Sequence, residues 1–149
     1  METNFKRLEY VWLRMIGAFG HTWTSQHGLA PSGGAAEMWG MALSDLSRQD
    51  IDVGFIGALA SASDFPPSAS KFRAYCLNIP PIALIEREIL GDDVSEFTKL
   101  VQANIHMGDY GQAHVKTARL MLISAYEAAR EFVMRGGQVP GSLRIGRDA

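Results

Sequence analysis

Cysteine is nearly missing from this sequence: Cys76 stands alone among 149 residues, which excludes an internal disulfide and a cysteine-based zinc site. Long hydrophobic runs are missing too. No stretch approaches the roughly 20 apolar residues that span a bilayer, and no basic-then-apolar leader is legible, so a soluble cytoplasmic protein is expected. Positive charge has no surplus: 14 Lys+Arg face 16 Asp+Glu for a net of -2, whereas a dedicated duplex-DNA binder is normally basic overall. Alternating apolar and polar residues never persist beyond a few positions, so half-buried strands are not expected. There is no internal repeat and no low-complexity tract. What remains, 47% hydrophobic and 20% charged, is the composition of an ordinary globular chain. Length favours one helical domain over 1–140, with a loose basic tail at 141–149.

The apolar residues that are present recur at helical spacing. Leu8, Val11, Trp12, Met15, Ile16 and Phe19 lie on one helix face. Gly20 can end or bend that helix, with His21 to His27 as a short continuation. A second helix is read from about Ala35 to Leu46, with Met38, Trp39, Ala42 and Leu43 on one side. A third follows Asp50 as cap, with Ile51, Phe55, Ile56 and Leu59 along one face. Ser68 reads as the N-cap of a fourth helix reaching Leu77, after a turn that Pro66 and Pro67 keep out of helix. Ile82, Ile85 and Ile89 mark a fifth helix, which Gly91 would end as a left-handed cap. Asp92 or Asp93 would cap a sixth, carrying Val94, Phe97, Leu100, Val101 and Ile105. His106 to Gly111 reads as a turn. A last helix runs from about Gln112 to Arg135, its first half buried on several sides because Leu120, Met121 and Ile123 depart from the main face. The fold class is therefore all-α, a compact bundle of six to seven short helices.

Charge is unevenly placed. Residues 82–111 carry two basic and six acidic side chains, and residues 112–149 carry six basic and three acidic ones. Glu86, Glu88, Asp92, Asp93 and Glu96 form an acidic run that is either a solvated face or a dock for a basic partner surface. Arg135, Arg144 and Arg147 belong to the basic end, which is either solvated surface or a contact for single-stranded DNA phosphates.

Catalytic constellations are not found. His106, Asp109 and His114 straddle a glycine-containing turn and match no compact metal-ligand spacing, so polar turn residues explain them better. His21 and His27 fall on opposite sides of a helix. Cys76 has no neighbouring base in sequence to lower its pKa and reads as a buried structural thiol. Ser32-Gly33-Gly34 and Arg135-Gly136-Gly137 lack the lysine and Ser/Thr of a phosphate-cradling loop. No enzyme and no cofactor is expected. Trp12 and Trp39 read as core, while Trp23, set among Thr, Ser and Gln, reads either as core or as a surface anchor for a protein partner.

One stretch has a more specific pattern. Trp39 is followed by Leu43, Ile51 and Leu59, then by Phe65-Pro66-Pro67-Ser68, Phe72, Arg73 and Cys76. This resembles the lambda-type phage replication protein P family, in which a Trp-bearing helix precedes a helix of small and aliphatic residues. A proline turn there leads to an aromatic and, four residues later, a cysteine. Glu131 to Pro140, with Arg135-Gly136 and Val139-Pro140, is similar to the family's helix end. Taken in order, the resemblance covers most of the chain, and about a dozen residues discriminate.

The resemblance implies a protein that grips the host hexameric replicative helicase, opens the ring and admits single-stranded DNA, in the cytoplasm of a bacterial host. It also implies no chemistry performed by the loader itself. Members usually carry an N-terminal arm for the origin-binding initiator and continue well past the final proline. The present sequence starts almost at its first core helix and stops nine residues after Pro140, so helicase contact is expected ahead of initiator contact. Two other outcomes fit the same residues: a stripped-down inhibitor that holds the helicase without releasing it, and a non-catalytic helical adaptor or structural phage protein. Exposed apolar faces would also suit a homo-oligomer.

Overall fold

Apolar spacings of three and four dominate the chain, and the computed structural model, which describes residues 4–139, is helical with no strand among those residues. Packing divides the described chain into two compact units, with the division between Asn78 and Ile79. Pro80 and Pro81 follow at once and, lacking backbone donors, stop a helix from running through. Length alone leads to the expectation of a single domain over 1–140, and within it the described residues pack as these two compact units. The segment 141–149 lies outside the described residues.

The first unit contains α1 (Asn4–Phe19), α2 (His21–His27), α3 (Gly33–Leu43), α4 (Arg48–Ala60) and α5 (Ala69–Cys76). Gly20, at φ 58, breaks α1 from α2, so the short continuation is a separate helix. Arg7 donates from Nη1 to the carbonyls of Leu43 and Ser44 at 3.1 and 3.2 Å, placing a cation on the carbonyls that end α3. α4 begins with a capping box: the Ser47 hydroxyl accepts from the Asp50 amide and the Asp50 carboxylate accepts from the Ser47 amide. Ser47, not Asp50, is thus the cap. Asp50 stands three positions inside, where a carboxylate reaches back to the entering backbone. Ser68 caps α5 as expected, its hydroxyl accepting from Lys71.

The closest packing in this unit joins α4 to α5. A Cβ added at Gly54 would overlap Cys76 Sγ and meet Phe72 at 3.0 Å, and one at Gly57 would meet Tyr75 at 3.0 Å. These two glycines let the α5 side chains settle against the α4 backbone. The buried face of α4 is consequently Ile51, Gly54, Phe55 and Ala58. Ile56 and Leu59, expected on the core face, are instead 67% and 63% exposed.

The second unit contains α6 (Ile82–Glu88), α7 (Glu96–Ala103), α8 (Met107–Gln112) and α9 (Val115–Met134). Its core is built from Ile85, Ile89, Phe97, Val101, Leu122, Ala125, Ala129 and Val133, and the Tyr126 hydroxyl donates to the Pro80 carbonyl at 2.6 Å. Nine helices are present among the described residues, beyond the six to seven expected. The additions are α2 and α8, the latter where a turn was read. The first half of α9 is open rather than enclosed: Val115 and Leu120 are 79% and 68% exposed. Gly91 does not adopt a positive φ. α6 is followed instead by a hydrogen bond that the Gly91 amide donates to the Glu88 carbonyl at 2.8 Å.

Candidate functional site

Aromatic rings form the centre of the N-terminal unit's core. Trp12 from α1, Trp23 from α2 and Trp39 from α3 meet edge to face, with centroids 5.1 Å (Trp12–Trp23), 5.4 Å (Trp23–Trp39) and 6.3 Å (Trp12–Trp39) apart. His27 stacks on Trp23 at 4.0 Å. Trp23 is fully buried, so of its two readings core holds and the surface anchor does not. The polar residues beside it in sequence lie on the other sides of a single short helix, so local composition misrepresented its environment. The Trp12 indole donates to the His27 carbonyl at 3.2 Å, whereas Trp23 Nε1 and His27 Nδ1 are buried without a protein partner. Burial alone holds the His27 imidazole below its usual range.

The pattern from Trp39 to Cys76 folds onto this box. Phe72 packs 5.5 Å from Trp39 and 5.0 Å from Phe55, and Cys76 lies four residues on, along the same face, against Gly54. Arg73 points to the end of α3, where Nη1 donates to the Ala42 carbonyl at 2.8 Å and the guanidinium takes both Asp45 oxygens, at 2.5 and 3.1 Å. Trp39, Phe72, Arg73 and Cys76 are thus structural, and they fix the hairpin made by α4, its turn and α5. That turn presents Phe65, 67% exposed. Ala62 precedes it at φ 55, and the Ser63 hydroxyl accepts from the Phe65 amide at 3.1 Å. Pro66 and Pro67 are half-buried and Ser68 turns the chain into α5. Phe65, Ile56 and Leu59 are large apolar side chains of this hairpin that face solvent.

The acidic run of the second unit is mostly engaged internally. The Glu88 carboxylate accepts from the Ser95 amide at 2.8 Å and from the fully buried Thr98 hydroxyl at 3.0 Å. The Ser95 hydroxyl caps α7, in place of the expected Asp92 or Asp93. The hydrogen bond from the Ser95 amide, with support from Thr98, holds the Glu88 carboxyl below its usual value. Glu86 pairs with Arg119 at 2.5 Å and Glu96 with Lys99 at 2.9 Å. Asp92 and Asp93 are exposed. In the basic group, Arg135 pairs with Glu131 at 2.8 Å, while Arg144 and Arg147 lie outside the described residues.

The histidines missed as structure are helix caps. His106 Nδ1 accepts from the Asp109 amide at the start of α8, and His114 Nδ1 accepts from the Lys116 amide at the start of α9. α8 is six residues long and holds Gly108 and Gly111, which is why that segment reads as a turn. No group of three His, Cys, Asp or Glu side chains suited to a metal occurs among the described residues. Between the end of α7 and the first half of α9 lies an open groove of ≈ 390 Å³, with Ile105, Leu120 and Met121 in its walls and His106 as its one titratable lining residue. No helix among the described residues is long and apolar enough to cross a membrane. No family model, curated protein or solved structure matches this chain.

Proposed function

We propose that this chain binds a bacterial hexameric replicative helicase and opens or loads it onto single-stranded DNA, acting through contact and performing no chemistry itself. The observation that carries the reading is the ordered pattern Trp39, Phe65-Pro66-Pro67-Ser68, Phe72, Arg73 and Cys76, with its resemblance to the phage replication protein P family. The division of labour within that pattern supports it. Four of these residues build a hairpin whose remaining aromatic, Phe65, is displayed to solvent beside a turn restricted by two prolines. An exposed aromatic on a restrained turn can bury apolar area on a partner at little entropic expense. To open a ring, such contacts must favour the open state over the closed one.

Native mass spectrometry of the protein mixed with the host's hexameric helicase tests the reading. A defined complex with several copies per hexamer supports it. No complex at micromolar concentration overturns it and leaves a helical adaptor. Unwinding assays on coated single-stranded DNA then separate a loader, which raises unwinding, from an inhibitor, which abolishes it. If Arg135, Arg144 and Arg147 touch DNA, affinity falls with salt and neutralising them flattens that slope.

A further inference from the structure

The short helix α2 is joined to its neighbours by two glycines in the left-handed region, Gly20 at φ 58 and Gly28 at φ 79. Neither conformation is comfortable for an L side chain, and no side chain caps the helix start. Seven residues are too few to hold a helix without packing, and Trp23 is the one residue of α2 that is buried. His27 closes the last turn by lying on the Trp23 ring, with Trp12 and Trp39 at its edges, 6.1 and 6.2 Å away.

We propose that α2 is a hinged flap latched by neutral His27, and that protonation of this imidazole releases the flap from α1 and α3. The geometry carries the proposal. His27 Nδ1 is buried among indole rings and makes no hydrogen bond. In neutral imidazole that nitrogen can remain a bare lone pair, but in imidazolium it becomes a donor with nothing to receive it. The titratable groups on the three helices are Lys6, Arg7, Glu9, Tyr10 and Arg14 on α1, His21 on α2 and Glu37 on α3. None contributes to the His27 shift, whose cause is burial. No carboxylate therefore compensates the new charge, and attraction to the indole faces offsets only part of the loss. Since the imidazole is held below its ordinary value of 6.5, the unfolded or opened chain takes up this proton first as pH falls, and the closed form loses ground from there downward.

The three tryptophans report the flap directly. Emission maximum and acrylamide accessibility are followed between pH 8 and pH 5 in the wild type and in His27→Phe, with His21→Gln as the control for the exposed histidine of the same helix. The expected result is a red shift with an accessibility increase of about twofold or more as the rings meet water in the wild type and in His21→Gln, and a flat profile in His27→Phe. A flat wild-type profile overturns the proposal, as does the same transition in His27→Phe. Should His27→Phe fail to fold, hydrogen exchange of the wild type decides. Amides of Thr22 to Gly28 that lose protection on acidification before those of α4 support the flap, and simultaneous loss refutes it. These outcomes do not depend on helicase binding.

Discussion

Cys76 Sγ rests so closely on the backbone of Gly54 that a Cβ at that position would overlap it. The aromatic-to-cysteine spacing of α5 and a glycine twenty-two residues earlier are therefore one packing device. Gly54→Ala is expected to lower stability by about 1–3 kcal/mol, the usual result of forcing volume into a filled seam. It is read as a reduced urea midpoint with an unchanged slope. Cys76→Ala in the same chain is expected to return part of the loss. If it returns none, the strain falls on Phe72 instead.

Arg73 joins α5 to the end of α3 through one carbonyl and a two-pronged hold on Asp45. Its side chain is largely buried in that pair. Arg73→Ala is expected to cost about 1.5–3 kcal/mol, the range for hydrogen bonds made by charged groups. Arg73→Lys recovers only part, because a single ammonium cannot reproduce the planar fork. Thermal denaturation of the three proteins tests the order wild type, Lys, Ala.

Glu88 makes the second unit acid-sensitive. Hydrogen bonds from Ser95 and Thr98 hold its carboxyl below the ordinary value of 4.5. The stabilisation is therefore complete above that value and is lost as pH falls through the lower folded one. Urea midpoints measured at pH 6 and pH 3 should converge toward each other in Glu88→Gln relative to wild type. An unchanged pH dependence in that variant would remove Glu88 from the account.

Phe65 offers a way to test the proposed binding apart from folding. Exposed in its turn, it is expected to tolerate replacement by alanine within about 0.5 kcal/mol of stability. The same change should weaken a helicase complex about tenfold or more if Phe65 is an anchor. Equal affinity for wild type and Phe65→Ala would count against the hairpin as the contact surface. Ile56→Ser on α4 provides a second arm.

The apolar period made the helices legible, because Leu8, Val11, Trp12 and Met15 repeat with the turn of a helix and are all buried. It failed where packing is asymmetric. Gly54 and Gly57 carry no hydrophobic signal, yet they rotate α4 so that Ile56 and Leu59 face water. Capping was half legible: Ser68 stood behind two prolines, whereas Ser47 was masked by a stronger-looking Asp50 whose role is reciprocal. His106 and His114 were invisible as caps, since histidine is a rare choice there. Trp23 stays open between core and surface anchor on its polar neighbours alone; it lies buried beside Trp12 and Trp39. The acidic run looked like one surface in sequence. In space Glu86, Glu96 and Glu88 turn to separate partners, Arg119, Lys99 and the start of α7, while Asp92 and Asp93 are exposed.

The burial of Cys76 also gives the N-terminal unit an internal clock. With one thiol in the chain and that thiol sealed in the α4–α5 seam, a disulfide reagent can react only during openings that part those two helices. The modification rate at saturating reagent equals the opening rate, and at low reagent it reports the opening equilibrium. No engineered label is needed, and a partner that grips the hairpin would slow the reaction in proportion to its hold.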